Sequence, residues 1–264
     1  MSVAAFIGHG SPMNTLESNR FTNAWREFGA QGPRPDAIVV VSAHWYVRDV
    51  AVTAMERPRT IHDFSGFPAE LFAFQYPAPG SPTIARRVAE LLAPTQVRLD
   101  EEEWGLDHGA WSVLAHLSPA ADVPVVQLSI DQTLSPEEHI QLGRRLAPLL
   151  EENVMLLGSG NIVHNLGMID WSKSGQAFEW AEQFDQAAQR ALLSDNPTRV
   201  VELLNHVHAR KAVPTPEHFL PVVYVAAAAE AAGLRLSTLV DGGDFGSLTM
   251  TSAITTASLS GSGN

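Results

Sequence analysis

The chain has 264 residues, of which 45% are hydrophobic and 17% charged, and it contains no cysteine. That composition excludes disorder for the bulk of the chain, and the missing thiols exclude disulfide frameworks, thiolate metal sites, iron–sulfur clusters and cysteine nucleophiles. Lys+Arg of 17 against Asp+Glu of 29 leaves a net charge of −12, which repels phosphate backbones and argues against nucleic acid as a partner.

No apolar run approaches the roughly 18 residues a membrane span needs, and the first residues form no basic leader. The expectation is a cytoplasmic protein, monomer or homodimer, with one domain over residues 1–257. The stretch 258–264 (SLSGSGN) reads as a flexible tail.

In chain order, an apolar run predicts a strand over residues 3–7. A second, over 37–41, contains Ile38-Val39-Val40-Val41, a continuous run that suits a strand buried on both faces. Ser81-Pro82 opens a helix near 82–93, because proline is tolerated where the first N–H has no partner anyway. A strand follows over 125–128. Ser135-Pro136 then starts a helix near 136–151, with Glu138 completing a capping box. After a strand over 154–157 come helices near 178–193, near 197–204 behind Asn196-Pro197, and near 216–232 behind Thr215-Pro216. Strands over 236–240 and 248–253 close the chain. Alternating strands and helices predict an α/β fold: a single-domain layered sandwich with a central, mostly parallel or mixed sheet flanked by helices.

The 10 histidines fall into two groups. His62, His116, His139, His206 and His208 lie in ordinary helix or loop settings and read as solvated or structurally satisfied. The others follow a shared grammar. The strand at 3–7 runs into Gly8-His9-Gly10-Ser11-Pro12. The strand at 37–41 runs into Ser42-Ala43-His44-Trp45, and that at 154–157 into Gly158-Ser159-Gly160-Asn161-Ile162-Val163-His164. Carboxyl ends of strands share one sheet edge, where ligands bind, and small residues let backbone and substrate approach closely. Two more join by context. His108 lies between Asp107 and Gly109. His218 falls in the first turn of the helix expected behind Thr215-Pro216, whose positive end disfavours an imidazolium. Five such imidazoles predict a histidine-rich metal centre. Ligand type alone leaves zinc and ferrous iron both open.

Gly8-His9-Gly10-Ser11-Pro12-Met13, Val41-Ser42-Ala43-His44-Trp45, Ile61-His62-Asp63-Phe64, Tyr76-Pro77-Ala78-Pro79-Gly80, Trp104-Gly105-Leu106-Asp107-His108-Gly109, Gly158-Ser159-Gly160-Asn161-Ile162-Val163-His164-Asn165 and Thr215-Pro216-Glu217-His218-Phe219 resemble the LigB-type (class III) extradiol ring-cleavage dioxygenases, in their DOPA 4,5-dioxygenase-like branch. The resemblance runs from about residue 3 to about residue 253. It implies that His9, His44 and His218 hold the metal, that His164 completes the metal shell or acts as base, and that His108 is an acid/base beside the substrate. The protocatechuate branch has a glutamate as third ligand. The matching segment here offers both Glu217 and His218, and the DOPA-like branch has histidine there. The resemblance implies Fe(II) for activity, with Zn(II) acceptable to an all-imidazole site in purified protein. The partners it implies are a small-molecule catechol and O2, with both oxygen atoms entering the product. Asp107 is a candidate to orient His108, and Arg48 to pair with a substrate carboxylate. Trp45, Phe64, Phe67, Tyr76, Trp104 and Trp111 are candidates for the wall of a flat pocket. Two other readings of a histidine cluster are a zinc-dependent hydrolase using metal-bound water and a non-catalytic metal-binding protein on the same fold.

Overall fold

A computed structural model describes residues 3–256. The expected tail, 258–264, and residue 257 lie outside the described residues. In chain order the elements are β1 (Ala4–Gly8), α1 (Arg20–Gln31), β2 (Ala37–Val47), β3 (Val50–Thr53), α2 (Ala69–Ala73), α3 (Pro82–Leu92), β4 (Val97–Asp100), α4 (His108–Leu117), β5 (Val125–Asp131), α5 (Pro136–Arg145), α6 (Pro148–Glu151), β6 (Val154–Gly160), α7 (Glu179–Leu192), α8 (Ala209–Ala212), α9 (Leu220–Ala231), β7 (Arg235–Val240), β8 (Gly243–Asp244), β9 (Leu248–Thr249) and β10 (Ser252–Thr256). Tight 3-10 turns occupy Pro12–Thr15, Leu166–Met168 and Pro197–Asn205.

Eight strands form one mixed sheet in the order β4-β3-β5-β2-β6-β1-β10-β7. The centre is parallel: β2 pairs with β5 and β6, and β6 with β1, all running the same way. Strand β10 adds antiparallel to β1, and β7 to β10. Side chains alternate across the central strands. Ala4, Phe6, Val39, Val41 and Leu156 face one apolar layer, and Ala5, Ile7, Ile38, Val40 and Leu157 face the other. The first layer is built on α9 with α5, α7 and α3, the second on α1 and α4. A strand covered on both faces has no use for polar alternation, which explains the continuous apolar run at 38–41. The result is the α/β sandwich expected from the strand–helix alternation.

The capping expectations divide cleanly. Ser81 accepts from the Ile84 N–H, and Ser135 with Glu138 forms a reciprocal capping box. Asn196 makes no such bond, and the segment behind it winds as a 3-10 turn over Pro197–Asn205. The Thr215 hydroxyl is drawn to the Glu217 carboxylate, at 2.7 Å, so the helix expected from 216 begins only at Leu220. The helix expected over 136–151 divides in two. Pro148, which has no N–H to continue the ladder, opens a separate turn at Pro148–Glu151. The strand expected over 248–253 also divides. Leu248–Thr249 pairs with β8, and Ser252–Thr256 enters the main sheet. Strand β2 runs past the expected end to Val47. Its register with β5 jumps between Val41 and Tyr46, so residues 42–45 bulge away from that neighbour while Ser42 still pairs with Ser159 of β6.

Helix α9 is apolar all round and buried through Ala229, as a helix wedged between a sheet and other helices must be. Its Tyr224 hydroxyl lies 2.8 Å from Nδ1 of the buried His139 on α5. Burial holds the His139 imidazole down at about 4. Between that value and the ordinary 6.5 the unfolded chain binds a proton that the folded chain refuses. Stability is therefore expected to fall as pH drops from about 6.5 to about 4, by on the order of 3 kcal/mol for this residue. Urea unfolding of wild type and His139→Gln across that range checks it. Equal slopes against pH in the two proteins would exclude the assignment.

Candidate metal centre

The carboxyl ends of β1, β2 and β6 lie side by side, and each delivers a histidine there. His9 follows β1 directly, and His44 sits on the bulged stretch of β2. His164 comes four residues after β6. His218 reaches the same place from the turn before α9, and His108 is the first residue of α4. The rings of His9, His44 and His218 have centroids 5.0–5.4 Å apart, and one ring nitrogen of each lies within 4.8 Å of the other two. The His44 ring is 3.9 Å from that of His108. His164 lies flat on His218, with centroids 3.5 Å apart and planes at 4°. All five histidines expected at the centre are thus brought together.

Glycines permit this crowding. A Cβ on Gly160 would stand 2.2 Å from the His218 carbonyl oxygen, and one on Gly109 would stand 2.6 Å from the Ser42 hydroxyl and 2.8 Å from the His44 ring. The buried Asn161 side chain knits the floor. Its Oδ1 accepts from the Gly10 N–H at 3.2 Å and its Nδ2 donates to the Thr249 carbonyl at 2.8 Å. Its backbone N–H holds the His218 carbonyl at 2.8 Å.

Hydrogen bonds behind the rings decide which nitrogens face inward. The Ser159 hydroxyl gives its single proton to the Gly109 carbonyl at 2.5 Å. Toward His9 Nδ1, 2.9 Å away, it can therefore only accept. His44 Nδ1 lies 3.1 Å from Asp63 Oδ2, and His218 Nδ1 lies 3.2 Å from Glu217 Oε1. In all three rings the outer Nδ1–H has an acceptor, leaving Nε2 for the interior, the outer-partner arrangement that orients metal-ligating histidines. His9 Nε2 and His44 Nε2 face each other at 3.3 Å. Two such nitrogens need something positive between them, either a proton or a metal ion. Ligand bonds of about 2.0–2.1 Å in a tetrahedral arrangement place two nitrogens roughly that far apart. The donor set fits a divalent cation.

The electrostatics agree for two of the three rings. Burial above all, then the neighbouring imidazoles, holds His9 and His218 well below the ordinary imidazole value. Burial and His44 push His108 down against the pull of Asp63, and burial brings His164 to about 4. His44 alone is raised: burial opposes its charge, but the Asp63 hydrogen bond and nearby carboxylates outweigh burial. Neutral rings are what ligation requires. For His218 the neutral state comes from burial and neighbours. The helix-terminus origin expected from the sequence does not apply, because this residue precedes α9 by two positions.

Asp63 is the residue whose role sequence reasoning missed. Its Oδ2 meets His44 Nδ1, while its Oδ1 accepts from both the His108 backbone N–H at 3.0 Å and His108 Nδ1 at 2.9 Å. Burial would raise this carboxyl, but the two imidazole hydrogen bonds win and hold it well below the usual carboxylate range. Asp107, expected to orient His108, does something else. It caps α4 through the Ala110 N–H and accepts from Ser42 at 2.7 Å and from the Gln127 amide.

The five histidines floor a cavity of about 300 Å³, at the small end for ligand sites and suited to a single-ring molecule. Of the aromatic candidates, Phe64 and Phe67 line it. Trp45 stacks on Trp104 away from it, the Trp111 indole donates to the Ile61 carbonyl from the core, and the Tyr76 hydroxyl donates to the Ser118 carbonyl. Arg48 is exposed and outside the lining. Trp171 and Phe245 complete the wall from two separate segments that carry no motif. Among the described residues no group hydrogen-bonds the ring nitrogens of His164, which also lines the cavity.

The chain matches the family model described as the catalytic LigB subunit of aromatic ring-opening dioxygenase over residues 3–247. It is 49% identical over 253 residues to the 4,5-DOPA dioxygenase extradiol of Escherichia coli K12, covering 94% of this chain and 93% of that protein. The protein of the same name from Beta vulgaris is 40% identical over 225 residues, covering 82% of this chain and 83% of that protein. A crystal structure of an uncharacterized Escherichia coli K12 protein superposes with a TM-score of 0.84 at 44% identity, covering 96% of this chain and 99% of that one. On this agreement of sequence and fold, the chain belongs to the LigB family of aromatic ring-opening dioxygenases.

Proposed function

We propose that the chain opens the ring of a catechol with dioxygen, breaking a ring carbon–carbon bond next to the diol and placing both oxygen atoms in the product, at a ferrous ion held by His9, His44 and His218. The observation that carries this reading is the convergence of those three rings, each with its Nδ1–H engaged from behind and its Nε2 left for the interior. When bound, the ion supplies a Lewis acid and an electron relay between the diol and dioxygen.

The chain's own groups handle the protons and the position of the ring. His108, neutral and backed by the Asp63 carboxylate, takes a proton from a catechol hydroxyl, and the imidazolium so formed is paired with that carboxylate. The same ring returns the proton later. His164 lies against His218 with its nitrogens free for the diol. Phe64 and Phe67 meet edge to face at 5.4 Å and offer an apolar wall to a flat ring, which keeps bulk water from the reacting atoms. Asp63 bridges a metal-ligating ring and the proton carrier, so each orients the other.

The printed names of the relatives supply DOPA as one catechol to test. Neither the zinc-hydrolase reading nor the non-catalytic one is favoured: the family match spans the site, and no candidate histidine is missing. Anaerobic loading with ferrous ion, followed by a catechol and air, is expected to consume one O2 per ring opened and to give a yellow product. A loaded protein inert toward every catechol offered, yet cleaving esters or amides with zinc, would favour the hydrolase.

A further inference from the structure

We propose that a second cavity, walled by Glu182, Asp185, Gln189, Asp241 and Thr249, binds a small alkylammonium ion. The site stands whether or not the ring-opening reading does. This cavity measures about 250 Å³ and lies between α7 and the segment that carries β8 and β9. It shares no lining residue with the cavity over the histidines. Its charge is one-sided: three carboxylates line it, and among the described residues no lysine, arginine or histidine does. Neither Glu182 nor Asp241, both exposed, has an ion-pair partner among the described residues. The Arg20 guanidinium packs on Gly242 and over the Phe21 ring without pairing with Asp241.

One oxygen of this wall lacks a donor. Asp185 is only 4% exposed. Its Oδ2 accepts from the Thr251 hydroxyl at 2.6 Å and from the Gln189 amide at 2.8 Å, which hold the carboxylate in place. Its Oδ1 is buried and has no hydrogen-bond partner. A buried carboxylate oxygen calls for a donor or a counter-ion. Burial pushes this carboxyl up, the polar side chains around it (Thr251, Gln189 and Thr249) are neutral, and Asp241 adds a like charge. A cation in the cavity supplies what is missing. A bare metal ion fits poorly, because it gathers its ligand atoms close together. Among the described residues, the trios of histidine or carboxylate groups with ligand atoms within 4.8 Å of one another all lie at the histidine centre. An alkylammonium instead carries three N–H donors on one nitrogen. One can serve Asp185 Oδ1 while the charge meets Glu182 or Asp241, and the carbon chain has Ala177 to lie against. Thr249 touches both sites, since its carbonyl accepts from Asn161 Nδ2 under the histidines at 2.8 Å.

Isothermal titration calorimetry of ferrous-loaded protein under nitrogen tests the claim with three probes: 1,4-diaminobutane, the uncharged 1,4-butanediol of the same length, and calcium ion. The amine is expected to bind at one per chain, more weakly as salt is raised, with the diol at least about 10-fold weaker. Asp185→Asn is expected to weaken the amine about 10-fold or more, because a hydrogen bond to a buried charge is lost. Glu182→Gln and Asp241→Asn, at exposed positions, are each expected to weaken it about 2- to 5-fold. Circular dichroism verifies the fold of each variant. If Asp185→Asn does not fold, the surface pair Glu182→Gln with Asp241→Asn decides. An amine that ligated the iron instead would bind that pair as tightly as wild type. Unchanged affinity in the folded variants overturns the proposal, as does no amine binding, a diol that binds equally well, or calcium that binds tighter than the amine.

Discussion

His44→Ala protein is expected to lose its metal and, with it, ring opening. His44 supplies one of three convergent nitrogens and holds the Asp63 carboxylate that also steadies His108. Removing an outer partner of a metal-bound histidine costs about 10- to 100-fold in affinity or activity, so Asp63→Asn should fall in that range. Deleting the ligand itself should cost more than about 100-fold. Metal analysis after equilibrium dialysis, with oxygen uptake on the same sample, separates the two variants. A His44→Ala protein that keeps a stoichiometric ion and normal turnover would remove His44 from the ligand set.

The second large effect is expected at His108, and it differs in kind. His108→Ala leaves His9, His44 and His218 in place, so the ion should stay at wild-type stoichiometry. The proton carrier is gone, and general acid–base contributions of this type are worth about 10²- to 10⁴-fold. Single-turnover kinetics should therefore show kcat down by that factor. His164→Ala tests the other free imidazole in the same way. Loss of metal in His164→Ala, with the triad intact, would make His164 a ligand. Wild-type kcat in His108→Ala would leave the proton transfer to another group.

The histidines were legible because the chain repeats one local pattern at distant places: an apolar strand, then small residues, then an imidazole. A parallel sheet turns that repetition into proximity, since β1, β2 and β6 end on the same edge. The capping signals at Ser81 and Ser135 were legible because the bonds they make are local. Where a competing local bond exists, the signal misleads. Thr215 bonds Glu217 rather than a backbone N–H, and the helix starts four residues later than its proline suggests. Asp63 and Asp107 show the limit of adjacency. Asp107 is next to His108 in the chain, but its carboxylate turns back to cap α4 and to meet Ser42 and Gln127. Asp63, separated from His108 by 45 positions, is its actual partner. The pairing depends on how the loop after β3 folds over α4, and no periodicity records that. Trp171 and Phe245 were invisible for the same reason: they meet across 74 positions, from a loop and a strand connection without motif. Helices α1 and α4 and strands β3 and β4 also passed unread: β3 and β4 are only four residues long, and α4 is buried on nearly every face, so none of the three offers a long amphipathic period.

The central claim is that three imidazoles grip one divalent ion. Its most direct measurement is the ferrous ion bound per chain at saturation under anaerobic dialysis, compared between wild type and a protein with His9, His44 and His218 all changed to alanine. The account predicts one ion per wild-type chain and none at this site in the triple variant, whose fold is verified by circular dichroism. Equal binding by the two folded proteins, or ring opening by a wild-type protein that holds no ion, would contradict it.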